Sequence, residues 1–100
     1  MELDVVAQND RLNIVEYLYA CNASDTFRRL DAEFKKTFEL LAAQPESGTP
    51  VKFTRYKHYR FVIVKPYYVF YVYKNGAVYI KRIIHTARNY KKLLAPDGNL

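Results

Sequence analysis

The residues able to do chemistry lie mostly in the second half of the chain, and they are cations and aromatic rings. The charged set includes Lys52, Arg55, Lys57, His58, Arg60, Lys81, Arg82, His85, Arg88, Lys91 and Lys92. The rings include Tyr56, Tyr59, Tyr67, Tyr68, Tyr71, Tyr73, Tyr79 and Tyr90. Cations interleaved with rings suit single-stranded nucleic acid or another phosphate-rich assembly. Because tyrosine favours strands, we expect most of these rings to pack in or across a sheet.

The charge of the chain is divided unevenly between its halves. Residues 1–50 hold five basic against nine acidic residues, a net charge of −4. Residues 51–100 hold eleven basic residues against Asp97 alone, a net charge of +10. This asymmetry predicts attraction of nucleic acid or an acidic protein segment to the second half. A merely solvated basic surface is the alternative.

Several catalytic signatures are absent from the sequence. It has no Gly-rich phosphate loop and no CxxC pair. His58 and His85 fall on different predicted strands without a carboxylate or Cys cluster, so we expect neither a metal nor another cofactor. With Asp97 as its only acid, the second half cannot supply paired carboxylates for general acid/base catalysis.

Cysteine usage and hydropathy predict a cytoplasmic protein. Cys21 is the only cysteine, which fits a reducing compartment and a buried structural thiol. Glu2 and Asp4 stand where a secretory signal would carry basic residues. No apolar run approaches the ~20 residues that cross a bilayer, so no membrane association is expected.

Hydrophobic periodicity predicts two helices in the first half. Residues 2–6 alternate weakly, as in a short strand, and Asn9 or Asp10 can cap a helix beginning near Arg11. After a break at residues 21–24, apolar residues recur at helical spacing. This stripe comprises Phe27, Leu30, Phe34, Phe38 and Leu41. The short break predicts an antiparallel helical hairpin, and a loop over residues 44–50 ends it.

In the second half the hydrophobic period changes to two. Asn75-Gly76 predicts a tight hairpin turn, and Lys65-Pro66 predicts another turn. The predicted strands span residues 51–56 (an irregular edge), 59–64, 67–73 and 78–85. In the last of these, alternation places Val78, Ile80, Arg82 and Ile84 on one face and Tyr79, Lys81, Ile83 and His85 on the other.

These elements predict one α+β domain over residues 1–100, with the order β-α-α-β-β-β and room for one more strand. The N-terminal helical hairpin packs on a twisted antiparallel β-sheet, because its apolar stripe must be buried against one sheet face. The expected sheet partners of the stripe are Val62, Val64, Phe70, Val72, Ile80 or Ile84.

Several segments in order resemble the RelE/ParE superfamily of type II toxin–antitoxin toxins. The resemblance covers roughly residues 3–94. It is carried by residues 10–17, 41–48 (Leu-Ala-Ala-Gln-Pro-Glu-Ser-Gly), 59–61, 68–72 and 83–90. The most specific segment is the last, where apolar residues precede His85 and Arg88 as in a ParE-type ending.

The superfamily implies two activities. RelE-like members cut mRNA in the ribosomal A site with a Lys, Arg, His and Tyr cluster, whereas ParE-like members poison DNA gyrase. Arg60 matches an expected cation, but Val62 and Tyr68 stand where RelE uses two more. We therefore expect the ParE-like branch: a gyrase poison that blocks replication, inhibits growth and serves plasmid stabilisation. The alternative is a ribosome-dependent mRNA interferase, and a plain nucleic-acid-binding or structural domain comes third.

The resemblance also implies the site residues and the partners. The expected target-binding residues are Arg60, Arg82, His85, Arg88, Tyr90, Lys91 and Lys92. If the chain were a ribonuclease, the catalytic residues would be Arg60, His85, Arg88 and Tyr90. A cognate antitoxin with an acidic, partly disordered segment is expected to cover Arg60, Arg82 and the hairpin face. The expected compartment is the bacterial cytoplasm.

Overall fold

The computed structural model describes residues 2–51 and 59–89, which form two helices and five strands. In chain order these are β1 (Glu2–Leu3), α1 (Val5–Ala20), α2 (Ser24–Ala43), β2 (Thr49–Pro50), β3 (Arg60–Val64), β4 (Tyr67–Lys74) and β5 (Ala77–His85). The predicted α+β fold, a helical hairpin packed on a sheet, is confirmed. The additional strand is the two-residue β2. The predicted edge strand at residues 51–56 falls largely outside the described residues.

The sheet has the strand order β1-β5-β4-β3-β2 and is antiparallel except at one edge. The exception is β1, which pairs parallel with β5 through Leu3 and Ile80. Asn75 and Gly76 both have positive φ, 53° and 79°, as a tight hairpin turn requires. The Lys65-Pro66 bond that links β3 to β4 is cis.

Helix α1 begins earlier than predicted. It starts at Val5 rather than near Arg11, and Asp4 occupies the N-cap position without making a side-chain cap bond. The early turns are stabilised by packing, since Ala7 is completely buried in the core. Cys21 is exposed, so its predicted burial is wrong. The chain turns at Asn22 with a positive φ of 56°, just past the helix end, which leaves the thiol at the surface.

Helix α2 follows the predicted stripe closely. Leu30, Phe34, Phe38 and Leu41 are buried against the sheet. Phe27 is only half-buried, and its ring lies 5.5 Å below the Arg11 guanidinium. The hairpin is thus held by apolar burial along most of α2 and by a cation–π contact near its start.

A β-bulge in β5 overturns the predicted alternation of its faces. Phe70 pairs with Arg82 but the next residue, Tyr71, pairs with Ile80, so Lys81 is an extra residue. One inserted residue exchanges the two faces of the strand beyond it. Ile83, rather than Ile84, therefore joins the core beneath the helices.

The sheet carries apolar clusters on both faces. The helix-side cluster includes Val64 and Ile80 with partly buried Val62, as predicted. Phe70 and Ile84, expected to meet the helices, belong instead to the second cluster. Val72 is buried but belongs to neither cluster. The second cluster consists of Val51, Phe70 and Ile84, with Tyr59, Phe61 and Tyr68 packed against it.

Candidate functional site

A groove of about 840 Å³ opens between the helical hairpin and the end of the sheet where β3 turns into β4. Its lining is apolar at Ile14, Leu30, Val64 and Ile83, and its polar part includes Arg29, Glu33, Lys65, His85 and Arg88. The groove forms because α1 and α2 both pass over the sheet, and Lys65 and Pro66 line its end. Two predicted site residues, His85 and Arg88, thus line one concave surface.

His85 is positioned by the last pairing of the sheet. It is the final residue of β5 and pairs with Tyr67 of β4, whose ring it meets edge-on at 5.4 Å between centroids. Its Nδ1 accepts a 3.0 Å hydrogen bond from the Ala87 N–H. A neutral imidazole with Nδ1 as acceptor carries its proton on Nε2. The exposed ring can therefore offer an Nε2–H donor to a ligand.

Arg88 is held beside His85 by the turn that follows β5. Its backbone N–H donates to the His85 carbonyl oxygen at 3.0 Å, and the Thr86 N–H donates to the Pro66 carbonyl oxygen at 2.8 Å. These two bonds tie the turn to the end of β5 and to the Lys65-Pro66 turn between β3 and β4. Arg88 is exposed and lines the groove, so its guanidinium is accessible to a partner.

Tyr67 forms part of the groove wall and is not ionised at neutral pH. Burial, reinforced by the nearby Tyr17 phenol, raises the pKa of Tyr67 above its usual value of 10.0. The side chain is 8 % exposed and packs against Phe34 as well as His85. Tyr67 therefore orients the imidazole by packing, without adding charge.

Arg82 is engaged within the molecule. Its Nε and Nη2 donate to the two carboxylate oxygens of Asp10 at 2.8 and 3.1 Å, and the Ile83 N–H donates to the same carboxylate at 2.9 Å. The sequence pattern assigned Asp10 a capping role and missed this contact. A separation of 72 residues between Asp10 and Arg82 leaves no local signal for it. Target binding by Arg82 stays a prediction.

Arg60 also bonds within the molecule. Its Nη1 donates to the carbonyl oxygens of Glu46 and Gly48 at 3.1 and 2.8 Å. The buried Tyr71 hydroxyl donates to the Pro45 carbonyl oxygen at 2.7 Å and accepts from the Gly48 N–H at 2.9 Å. Arg60 and Tyr71 together anchor the loop between α2 and β2.

Strand register separates Arg60 from His85. His85 pairs with Tyr67, which pairs with Val64, and Arg60 lies four residues from Val64 along β3. Four residues of strand span about 13 Å. Tyr68 packs in the cluster on the sheet face away from the helices. Of the three described residues expected of a ribonuclease, His85 and Arg88 line the groove together, and Arg60 lies apart from them.

The groove rim is positively charged. Arg29, Lys65 and Arg88 form no ion pair with any described residue, whereas Arg11 and Lys35 both pair with Asp31. Glu33 is an acid on the same surface. Tyr90, Lys91 and Lys92, also predicted to bind the target, lie outside the described residues. No cluster of potential metal ligands occurs within residues 2–51 and 59–89.

A comparison with protein-family models matches residues 2–90 to the ParE toxin of type II toxin–antitoxin systems, parDE. The match confirms the predicted RelE/ParE superfamily as the class of protein. Within that class, the chain belongs to the ParE toxin family. A search of curated proteins found no match. No helix in the described part of the chain is long and apolar enough to cross a membrane.

Proposed function

We propose that this type II toxin poisons DNA gyrase, blocks replication and is neutralised by a cognate antitoxin. Membership of the ParE toxin family supports the toxin role and implies an antitoxin. The gyrase target rests on a further observation, the separation of Arg60 from the other groups that RNA cleavage would need. The alternative target is the ribosome, where the chain would act as an mRNA interferase.

The separation of Arg60 from His85 is the observation that carries the proposal. Cleavage by 2′-hydroxyl attack requires a base, an acid and cations within hydrogen-bond reach of one phosphate. Arg60 and His85 are about 13 Å apart along the strands, as the strand register and the rise per residue imply. Losing one transition-state contact costs on the order of 10²-fold in rate. This arrangement favours binding and inhibition over RNA cleavage.

The groove end of the sheet supplies the proposed contact surface. His85 offers an Nε2–H donor, and the Arg88 guanidinium forms no ion pair within residues 2–51 and 59–89. Lys65 lies on the adjoining turn. Such donors suit the phosphates and carboxylates of a protein–DNA complex. Tyr90, Lys91 and Lys92 are proposed to extend this surface, and Arg60 and Arg82 remain proposed members of it.

The antitoxin is proposed to approach the same basic half of the chain. Its acidic segment would gain from the net charge of +10 over residues 51–100. We place it over Arg60, Arg82 and the β4–β5 hairpin. Since Arg82 is already bonded to Asp10, an added carboxylate there would form a network and not a new isolated pair.

The test adds purified toxin to a gyrase supercoiling assay and, separately, to programmed ribosomes. We expect inhibition of gyrase and intact mRNA. The variant His85→Ala/Arg88→Ala should weaken gyrase inhibition by at least about tenfold, because two exposed donors are lost. Codon-dependent mRNA cleavage without any effect on gyrase would overturn the proposed target.

A matched control separates this surface from general positive charge. Lys36 on α2 and Lys74 at the hairpin are exposed and lie outside the groove lining. The variant Lys36→Ala/Lys74→Ala should inhibit gyrase as the wild-type chain does. If both double variants lost gyrase inhibition to the same extent, the binding would be non-specific and electrostatic instead.

A further inference from the structure

Helix α1 presents an apolar stripe to solvent on the side away from the core. Val5, Leu12 and Tyr19 are 70, 53 and 54 % exposed. They lie seven residues apart, and seven residues make almost two helical turns, with a drift of only about 20°. The buried residues Ala7 and Ile14 occupy the opposite side. Thus α1 is apolar on both sides, although the sheet covers only one.

The charges around this stripe restrict its occupant. Arg11 is the only cation of α1, and Asp31 holds it at 3.0 Å. An acidic segment would find no free cation on this helix, and an anionic membrane surface would not find the Lys/Arg-rich polar face that interfacial helices carry. Glu16 lies on the exposed side and forms no ion pair with the part of the chain that the structure describes. A surface with so little charge fits another nearly uncharged apolar surface.

The stripe is symmetric about Leu12. Val5 and Tyr19 lie seven residues to either side of it, and Gln8 and Glu16 lie four residues to either side. A two-fold axis at Leu12 would place Leu12 on Leu12 of a second copy and Val5 against Tyr19, a small side chain against a large one. Isologous interfaces require this kind of self-complementarity.

Gln8 and Glu16 are also compatible with a two-fold axis at Leu12. The Gln8 amide donates one hydrogen to the Leu3 carbonyl oxygen at 2.9 Å, which leaves its second hydrogen for Glu16 of the second copy. Two antiparallel helices also oppose their dipoles, so the helix ends do not repel each other.

We propose that the α1 stripe of Val5, Leu12 and Tyr19 binds the same stripe of a second copy in antiparallel orientation. The 16-residue helix is about 24 Å long and about 10 Å wide, so one side offers on the order of 250 Å². Stable complexes bury about 800 Å² per partner. The dimer is therefore weak and depends on concentration, with dissociation expected in the micromolar range or above.

Sedimentation velocity over a concentration series tests the association. We expect the wild-type chain to shift from monomer toward dimer, and Leu12→Glu to weaken the dimer at least about tenfold, because two carboxylates would meet at the axis. Leu40→Glu is the matched control: Leu40 is 50 % exposed but lies on α2. It should associate as the wild-type chain does. A wild-type chain that stays monomeric to about 200 µM, or a Leu12→Glu dimer of unchanged strength, overturns the proposal.

Cysteine cross-linking tests the position of the axis. In a Cys21→Ser background, Leu12→Cys should form a disulfide-linked dimer under mild oxidation, since helices 8–10 Å apart bring facing Cα atoms within disulfide reach. Asn13→Cys, exposed on the same helix but rotated by about 100°, should cross-link much more slowly. Equal rates would overturn the antiparallel arrangement. Loss of antitoxin binding in Leu12→Glu, with a monomeric wild-type chain, would assign the stripe to the antitoxin instead.

Discussion

Asp10 links α1 to the sheet through three hydrogen bonds. Its carboxylate accepts two from the Arg82 guanidinium and one from the Ile83 N–H, and its side chain is 12 % exposed. The bonds meet the strand just beyond the bulge at Lys81. The pair therefore fixes the position of the helix relative to the part of β5 that leads to His85.

Replacing Asp10 should destabilise the fold measurably. Asp10→Ala leaves a largely buried guanidinium and the Ile83 N–H without this acceptor, so we expect the free energy of unfolding to fall by about 2–4 kcal/mol. Asp10→Asn should cost less, since it keeps an acceptor. Chemical denaturation measures both. The control is Asp25→Ala, whose carboxylate is 96 % exposed beside Arg28; it should change stability by less than about 0.5 kcal/mol.

Two residues predict how stability depends on alkaline pH. A hydrogen bond from Lys81 to Asp4 raises the pKa of Lys81 above 10.5, and burial raises that of Tyr67 above 10.0. Both groups bind their protons more tightly in the folded chain than in the unfolded chain. Their stabilisation is complete below the unfolded pKa values and is lost as pH rises through the folded ones.

We therefore expect the thermal midpoint to fall as pH rises from about 9 to 11. Lys81→Met and Tyr67→Phe should each flatten this dependence, because each removes one titrating group. Calorimetry at several pH values provides the measurement. If the thermal midpoint fell with pH equally steeply in both variants, Lys81 and Tyr67 would not be the groups responsible.

At the level of elements, the loop between α2 and β2 is fixed by contacts and leaves no room for a side chain at Gly48. A Cβ there would lie 2.5 Å from the Tyr71 hydroxyl and 2.9 Å from the Phe61 carbonyl oxygen. The same glycine donates its N–H to Tyr71 and accepts from Arg60 through its carbonyl oxygen. A glycine is required at position 48 because Tyr71 and Phe61 approach its backbone closely, and not because of a positive φ.

Gly48→Ala should lower the free energy of unfolding by about 1–3 kcal/mol, because the packed strands cannot move aside freely. Tyr71→Phe alone should cost about 1–2 kcal/mol through its two lost hydrogen bonds. The double variant should lose less than the sum, since removing the hydroxyl relieves one of the close contacts. Denaturant unfolding of the wild-type chain, the two single variants and the double variant gives the coupling free energy between positions 48 and 71. Strictly additive losses of unfolding free energy would argue against the clash.

At the level of the whole molecule, the uneven charge predicts how the proposed antitoxin binds. A net charge of −4 on residues 1–50 and +10 on residues 51–100 favours approach of an acidic segment to the second half of the chain. We expect the association rate to fall at least about tenfold between 50 and 500 mM salt, with a much smaller change in the dissociation rate. Stopped-flow mixing separates the two rates. Salt dependence confined to dissociation would contradict electrostatic steering.

Local patterns in the sequence determined the class of fold and the largest elements. The Phe and Leu spacing predicted α2, because a helix turns every 3.6 residues and the apolar residues fall on one side. Asn75-Gly76 predicted the hairpin, because both residues accept positive φ. The resemblance to ParE-type toxins also singled out His85 and Arg88, which line one groove in the structure.

Only the tertiary structure decided which residues meet. The bulge at Lys81 depends on how β4 and β5 pair, and it moved Ile84 to the far face of the sheet. The early start of α1 depends on burial of Ala7, because the N-cap residue Asp4 makes no side-chain capping hydrogen bond. The separation of about 13 Å between Arg60 and His85 along the strands follows from strand register, which is set by contacts between segments distant in sequence.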